Sequence, residues 1–204
     1  MESILPQVTV IMINSRNNDF VTLARDSVKE QYYPYIEYIE EENFDKSRTI
    51  GKCWNDAIKK ATSDYCLFIS DDDYITPDYV LSIISAYLQI IKIDKDLVGA
   101  TSHLTAFDEV TGDREQLNVY PTGMFTTKHL KEVPFDETLL KYVDTEYYKK
   151  LVDKKIFNVY WQYGYHYRQH DGMVSGRTLK MKEIIKERDA HQIVERSEDV
   201  KTEK

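Results

Sequence analysis

Residues 65–77 read Tyr65-Cys66-Leu67-Phe68-Ile69-Ser70-Asp71-Asp72-Asp73-Tyr74-Ile75-Thr76-Pro77. Five apolar or aromatic residues without polar alternation predict a strand covered on both faces, although periodicity alone does not separate it from a buried helical segment. Three carboxylates then fall at the carboxyl end of that strand. Thr76-Pro77-Asp78 reads as a helix start, with Thr76 as cap and Pro77 in the first helical position, where its missing N–H costs nothing. Adjacent carboxylates repel one another, and a folded chain that gathers them commonly holds a hard, oxygen-seeking cation, Mg²⁺ or Mn²⁺. The competing reading is a solvated acidic turn, and the surrounding sequence has to choose between them.

Upstream, Val8 to Ile13 is apolar and β-branched, a first buried strand ending in the polar turn Asn14-Ser15-Arg16-Asn17-Asn18-Asp19. Phe20, Leu23, Ala24, Ser27 and Val28 recur at helical spacing until Tyr33-Pro34, and Tyr35 to Ile39 forms a second strand. Strand, helix, strand at this spacing predicts a right-handed parallel unit whose ligand crevice lies beyond the carboxyl ends of the strands. A helix with Trp54, Ala57, Ile58 and Ala61 on one face leads into residues 65–77, and another with Val80, Ile83, Ile84, Tyr87, Leu88 and Ile91 follows them.

Downstream, Leu97 to Leu104 predicts one strand, and Thr111-Gly112-Asp113 a turn before a polar strand that closes a hairpin. Pro121-Thr122-Gly123-Met124 introduces Phe125 and a short helix around Thr127 to Lys131. Val143-Asp144-Thr145-Glu146 opens a helix running to about Asp153, with Asp144 at or near the N-terminus, where an ordinary N-cap is the competing role. Ile156 to Tyr160 is a strand, Tyr165 to Gly172 an extended segment and loop, and 178–204 a charged peripheral helix and tail. No internal repeat is present.

The chain has 204 residues, enough for one substantial α/β domain and short for two. A net charge of −8 argues against a broad grip on nucleic acid or an anionic membrane, which leaves a small ligand as the expected partner. Cys53 and Cys66 are the only cysteines and form no C-x-x-C pair, so neither a zinc site nor a disulfide framework is expected, and a reducing, cytoplasmic setting fits. No apolar run reaches bilayer length and no basic-then-apolar leader opens the chain, which predicts a soluble protein.

From Val8 to about Ser175 these motifs, in this order, resemble the family 2 glycosyltransferases of the GT-A fold. Val8-Thr9-Val10-Ile11 is similar to the family's first strand, and Gly51-Lys52-Cys53-Trp54-Asn55-Asp56-Ala57 to its glycine-to-asparagine helix start. Ser70 to Pro77 resembles its metal-binding acidic motif, Thr122-Gly123-Met124 its donor-sugar segment, and Phe135-Asp136-Glu137 the loop before its catalytic helix. Asp144-Thr145-Glu146 is similar to that helix's acidic motif, and Tyr167-Arg168-Gln169-His170 to the closing segment. The resemblance implies a Rossmann-like, mostly parallel sheet with helices on both faces and a small antiparallel addition, spanning residues 1–177. It also implies inverting transfer of a sugar from a nucleotide-diphosphate donor, most readily a UDP-sugar, to an acceptor hydroxyl, assisted by Mn²⁺ or Mg²⁺.

Residue by residue, the resemblance places Asp72 on the metal with Asp73 in support and His170 approaching from the closing segment. Asp144 carries the base role, with Glu146 as the fallback. Donor contacts fall to Asn14, Arg16, Glu41 or Glu42, Arg48, Lys52, Asn55, Asp71, Gly123 and Arg168. Ser70 stands where many members carry a carboxylate. The acceptor stays open among a glycan, a lipid-linked sugar, a protein and a modified nucleobase. Two other readings compete: a nucleotidyltransferase, disfavoured because Asn14 to Asp19 holds no glycine-rich phosphate loop, and a catalytically silent binding module of the same fold.

Overall fold

The computed structural model describes residues 5–16, 18–109, 112–117, 123–151, 155–159 and 161–170. The chain divides after Gln169 into two compact units, and of the second only His170 is described. The expected C-terminal helix and Thr122 lie outside the described residues, and the helix expected to run to about Asp153 ends at Lys149, with Lys150 as its C-cap.

Five strands and three helices build the first half of the unit: β1 (Val8–Asn14), α1 (Asp19–Lys29), β2 (Ile36–Glu42), α2 (Ile50–Lys60) and β3 (Tyr65–Ser70), then the two-residue β4 (Tyr74–Ile75), α3 (Tyr79–Ile90) and β5 (Leu97–Ser102). The second half adds β6 (Leu104–Asp108), β7 (Arg114–Leu117), β8 (Met124–Thr126), α4 (Thr127–Glu132), α5 (Val143–Lys149), β9 (Lys155–Val159) and β10 (Tyr165–Gln169). Six strands form the main sheet in the order β2-β1-β3-β8-β5-β9. β1 pairs in parallel with β2 and β3, and β5 with β9, while β8 runs antiparallel between β3 and β5. This is the expected mostly parallel α/β sheet.

Both faces of the sheet are covered, which is why β1 is buried along its whole length and β3 reads as an unbroken apolar run. Ile11, Ile13, Cys66 and Phe68 point to the layer of α2, α4 and α5, in one core with Ala57, Ile58, Leu130, Phe135, Val143 and Tyr147. The alternate residues face the other way, and Tyr65 there meets Tyr87 of α3 edge to face, ring centroids 5.4 Å apart.

Three local expectations change. The predicted single strand over 97–104 is two strands in different sheets, because the chain switches sheets at His103, whose Nδ1 and Nε2 lie 3.1 Å from the Tyr163 hydroxyl and Asn158 Nδ2. The helix expected to begin at Pro77 begins at Tyr79, and its N-cap, Asp78, makes no side-chain capping bond. Its delay follows from β4: Tyr74 and Ile75 pair with β10, and Thr76 N–H donates to Gly164 O at 2.8 Å, which keeps the chain extended one residue short of Pro77. The small added sheet is mixed rather than purely antiparallel, in the order β4-β10-β6-β7, since β10 runs parallel to β6. The expected hairpin is present within it as β6 and β7, turning through Gly112 at φ +75°.

Candidate active site

β1 and β3 run side by side and end together, with Ile13 opposite Ser70, so the residues after both strands meet. Asp71 is pinned there on both oxygens. Its Oδ2 accepts from Ser15 N–H at 2.7 Å and Ser15 Oγ at 2.8 Å, and its Oδ1 from Arg16 Nε at 3.0 Å. The same guanidinium reaches Asp72 Oδ2 at 2.8 Å. Arg16 therefore bridges two carboxylates whose side chains are 6% and 12% exposed, and one cation serves both.

Asp73 points elsewhere. Only 1% exposed, it accepts the Tyr165 hydroxyl at 2.8 Å and Arg168 N–H at 2.9 Å, and so joins the acidic turn to β10. Burial, followed by the neighbouring Asp72, pushes its carboxyl well above the usual range, and those two donors counter only part of that push. Burial likewise raises the Tyr165 phenol, with Asp73 adding to it.

Arg168, expected at the donor, is 4% exposed and committed within the unit. Its guanidinium donates to the Asp72 carbonyl at 2.8 Å, pairs with Glu109, and lies between the rings of Phe20 and Phe107, 4.4 and 4.7 Å from their centroids. Those contacts make it a brace behind the acidic turn. Asn55 is committed in the same way. Its amide donates to Phe135 O and Glu137 Oε1 and accepts from Phe135 N–H, each at 3.0 Å, and so ties α2 to the loop before α5. Gly51 belongs to this junction, because a Cβ there would sit 2.3 Å from Asp136 O.

After β2, Glu41 is buried between Arg48 (3.0 Å) and Lys60 (2.5 Å). Burial alone would raise its pKa, but the two cations outweigh it and the carboxyl is held below its ordinary value. Arg48 also donates to the Glu42 carbonyl at 2.5 Å, while the Glu42 side chain is exposed. Lys52 pairs with Asp56. Asn14 is buried, donating to Glu40 Oε1 at 2.6 Å and accepting from Arg16 N–H at 3.3 Å. It thereby orders the backbone from which Arg16 extends.

In the layer of α2 and α4, Asp144 is the second residue of α5 and not its cap. The N-cap is Tyr142, a left-handed residue at φ 58° with no side-chain capping bond. Asp144 is half-buried and has no hydrogen bond or ion pair among the described residues. Glu146 pairs with Lys149 at 2.9 Å. α5 is seated by Tyr147, whose ring lies 4.2 Å from that of Phe135 and 5.5 Å from that of Phe125. Gly123 sits where β5 meets α5, and a Cβ there would fall 2.6 Å from Ala100 O and 3.2 Å from the Tyr148 hydroxyl. His170 opens the second unit.

Ser15 and Tyr165 were not singled out from sequence, yet they hold Asp71 and Asp73. The signal for Ser15 was its place beside Arg16 at the end of the first strand. Nothing local marked Tyr165 among 16 tyrosines. A depression of about 480 Å³, lined by Ser63, Asp64, Thr127 and Lys131, opens at the amino end of β3, the end remote from the aspartates.

No known protein family and no curated protein sequence matches the chain. Solved structures do. S. aureus TarS 1-349 in complex with UDP superposes with TM-score 0.63 at 18% identity, over 79% of this chain and 60% of that one. The same fragment in complex with UDP-GlcNAc gives 0.63 at 17% identity, over 85% and 62%. A mannosyltransferase from Pyrobaculum calidifontis in complex with GDP-Man and Mn²⁺ gives 0.58 at 13% identity, over 78% and 56%. The chain thus spans about three fifths of the TarS fragment. What these likenesses establish is the architecture: the chain has the glycosyltransferase GT-A fold.

Proposed function

We propose that the chain is a metal-dependent, inverting glycosyltransferase of family 2, moving a sugar from a nucleotide-diphosphate donor, a UDP-sugar first, to an acceptor hydroxyl. The observation that carries this reading is the pair Asp71 and Asp72, brought onto a single cation at the carboxyl ends of two parallel strands. Two hard oxygen donors on one cation fit Mn²⁺ or Mg²⁺, which proteins commonly hold through one or two carboxylates plus substrate phosphates. Asp72 would be the direct ligand, with Asp71 beside it toward the donor. When bound, the ion supplies charge neutralisation for the departing diphosphate.

The chain's own residues do the rest. Asp144 takes the proton from the acceptor hydroxyl as the hydroxyl oxygen bonds to the anomeric carbon and the bond from that carbon to the diphosphate oxygen breaks. Its lack of a partner among the described residues leaves it able to accept that proton, whereas Glu146 is already held by Lys149. Asp73 and Arg168 support the acidic turn from behind. Asn55 and Gly51 set the loop that leads into α5, and Gly123 sets the packing beneath it. Arg16, Glu41 and Arg48 border the nucleotide end, after β1 and β2. The buried free thiols of Cys53 and Cys66 suit a reducing compartment, and we place the protein in the cytosol. No helix among the described residues is long and apolar enough to cross a membrane.

Donor hydrolysis tests the proposal. UDP- and GDP-sugars incubated with and without Mn²⁺ are expected to show slow, metal-dependent release of the nucleoside diphosphate. No turnover on any donor, with melting unchanged by nucleotide plus metal, would sink it.

A further inference from the structure

We infer that Arg16 is a built-in counter-ion occupying the place of the divalent cation, so that the ion binds strongly only together with a nucleoside diphosphate. This rests on the glycosyltransferase reading above and adds to it the order and coupling of binding at the same site.

The geometry leaves the two carboxylates little to offer a metal while Arg16 is in place. Asp71 Oδ2 is taken by the Ser15 backbone and hydroxyl, and Asp71 Oδ1 and Asp72 Oδ2 by the two arms of the guanidinium. An ion seated between the carboxylates must displace that guanidinium or lie beside it. Lying beside it sets a divalent charge within a few ångströms of a like charge, in a site whose carboxylates are almost fully buried and screening is weak. Arg16 is held on two carboxylates at once, by Asp71 at 3.0 Å and Asp72 at 2.8 Å. It leaves only when another anion takes it.

A nucleoside diphosphate supplies that anion. Its phosphate oxygens accept a guanidinium bidentately and also complete the coordination of a hard divalent ion. The second guanidinium of the region is not in play, since Arg168 is held by Glu109, the Asp72 carbonyl and two aromatic faces. The exchange is thus Arg16 from carboxylate to diphosphate, and the ion from water to carboxylate. By linkage, the nucleotide tightens the ion and the ion tightens the nucleotide by the same factor.

Calorimetric or Mn²⁺ paramagnetic titration of the full chain, with Mn²⁺ alone and with Mn²⁺ plus saturating UDP or GDP, tests this on wild type, Arg16→Gln and Arg16→Lys. Wild type is expected to bind Mn²⁺ more tightly with nucleotide than without by about tenfold or more. Arg16→Gln is expected to bind Mn²⁺ alone about tenfold more tightly than wild type, with a smaller gain from nucleotide. Arg16→Lys keeps the charge and is expected to stay close to the wild-type pattern, which separates charge from any disturbance of the loop. If Arg16→Gln binds Mn²⁺ alone no more tightly than wild type while all three proteins bind it with nucleotide, the inference falls and the proposed function stands. If no protein binds Mn²⁺ even with nucleotide, both fall.

Discussion

The two acidic regions of the sheet are prepared in opposite ways. At the ends of β1 and β3, Asp71, Asp72 and Asp73 each have a partner, drawn from Arg16, Ser15, Tyr165 and the backbone of Arg168. At the start of α5, Asp144 has none among the described residues, and the residue two before it stands in a left-handed conformation that a tyrosine rarely adopts. Under the proposed function, the difference follows from what each region is asked to do. Carboxylates gathered side by side and largely buried need a counter-charge to offset their repulsion and lost hydration, and Arg16 supplies it. A base has to keep a lone pair open, so its position is set through its neighbours: Tyr147 against Phe135, and Asn55 on the loop behind.

Removing the open carboxylate separates the two regions most sharply. Asp144→Asn is expected to lower the rate of sugar transfer by about 10²- to 10⁴-fold while nucleotide-sugar affinity stays within error of wild type. Steady-state transfer assays beside donor titrations read both, and wild-type rates would break the base assignment. The next largest effect lies in the scaffold that sets Asp144. Asn55→Ala strands the buried N–H and C=O of Phe135, and a loss of about 1–3 kcal/mol in denaturant unfolding is expected, with transfer reduced more than donor binding. Unchanged stability would mean that the loop finds other partners.

The smallest effect belongs to the fixed side and appears as pH dependence. His166 stacks on Tyr74, ring centroids 4.3 Å apart, and burial, with Arg114 adding to it, lowers its pKa to about 4. Because the unfolded chain takes up the proton first, the stability from this site is full above about pH 6.5 and is lost as pH falls toward 4. Melting followed across that window is expected to lose about 2 kcal/mol in wild type and less in His166→Phe, which keeps the stack and carries no titrating group. Parallel profiles for the two proteins would assign the acid loss to other groups.

How much of this was legible in the sequence varied with the length over which a pattern runs. β1 and β3 are buried on both faces, so their apolar runs declare them, and α1, α2 and α3 show their period over three turns. β4 and β8 have two and three residues, too few for any period, and β10 shows itself only through pairing with distant β4 and β6. The acidic tripeptide was legible as a site but not in its division. Ser70 ends the strand and the aspartates lie in a turn, where side-chain direction follows no alternation. That Asp73 turns inward depends on Tyr165, which comes 92 residues later in the chain. Arg168 and Asn55 are donor contacts only by resemblance to the family's closing segment and helix start. Their partners, Glu109, Phe20 and the 135–137 loop, are brought together only by the fold.

Under the proposed function, Asp72 holds the ion on which donor binding and transfer depend. Titration of UDP-sugar into wild type and Asp72→Asn, with Mn²⁺ and with a chelator, tests it directly. Mn²⁺ is expected to strengthen binding to wild type by about tenfold or more and to leave Asp72→Asn unchanged. Equal strengthening of both proteins by Mn²⁺ would contradict it.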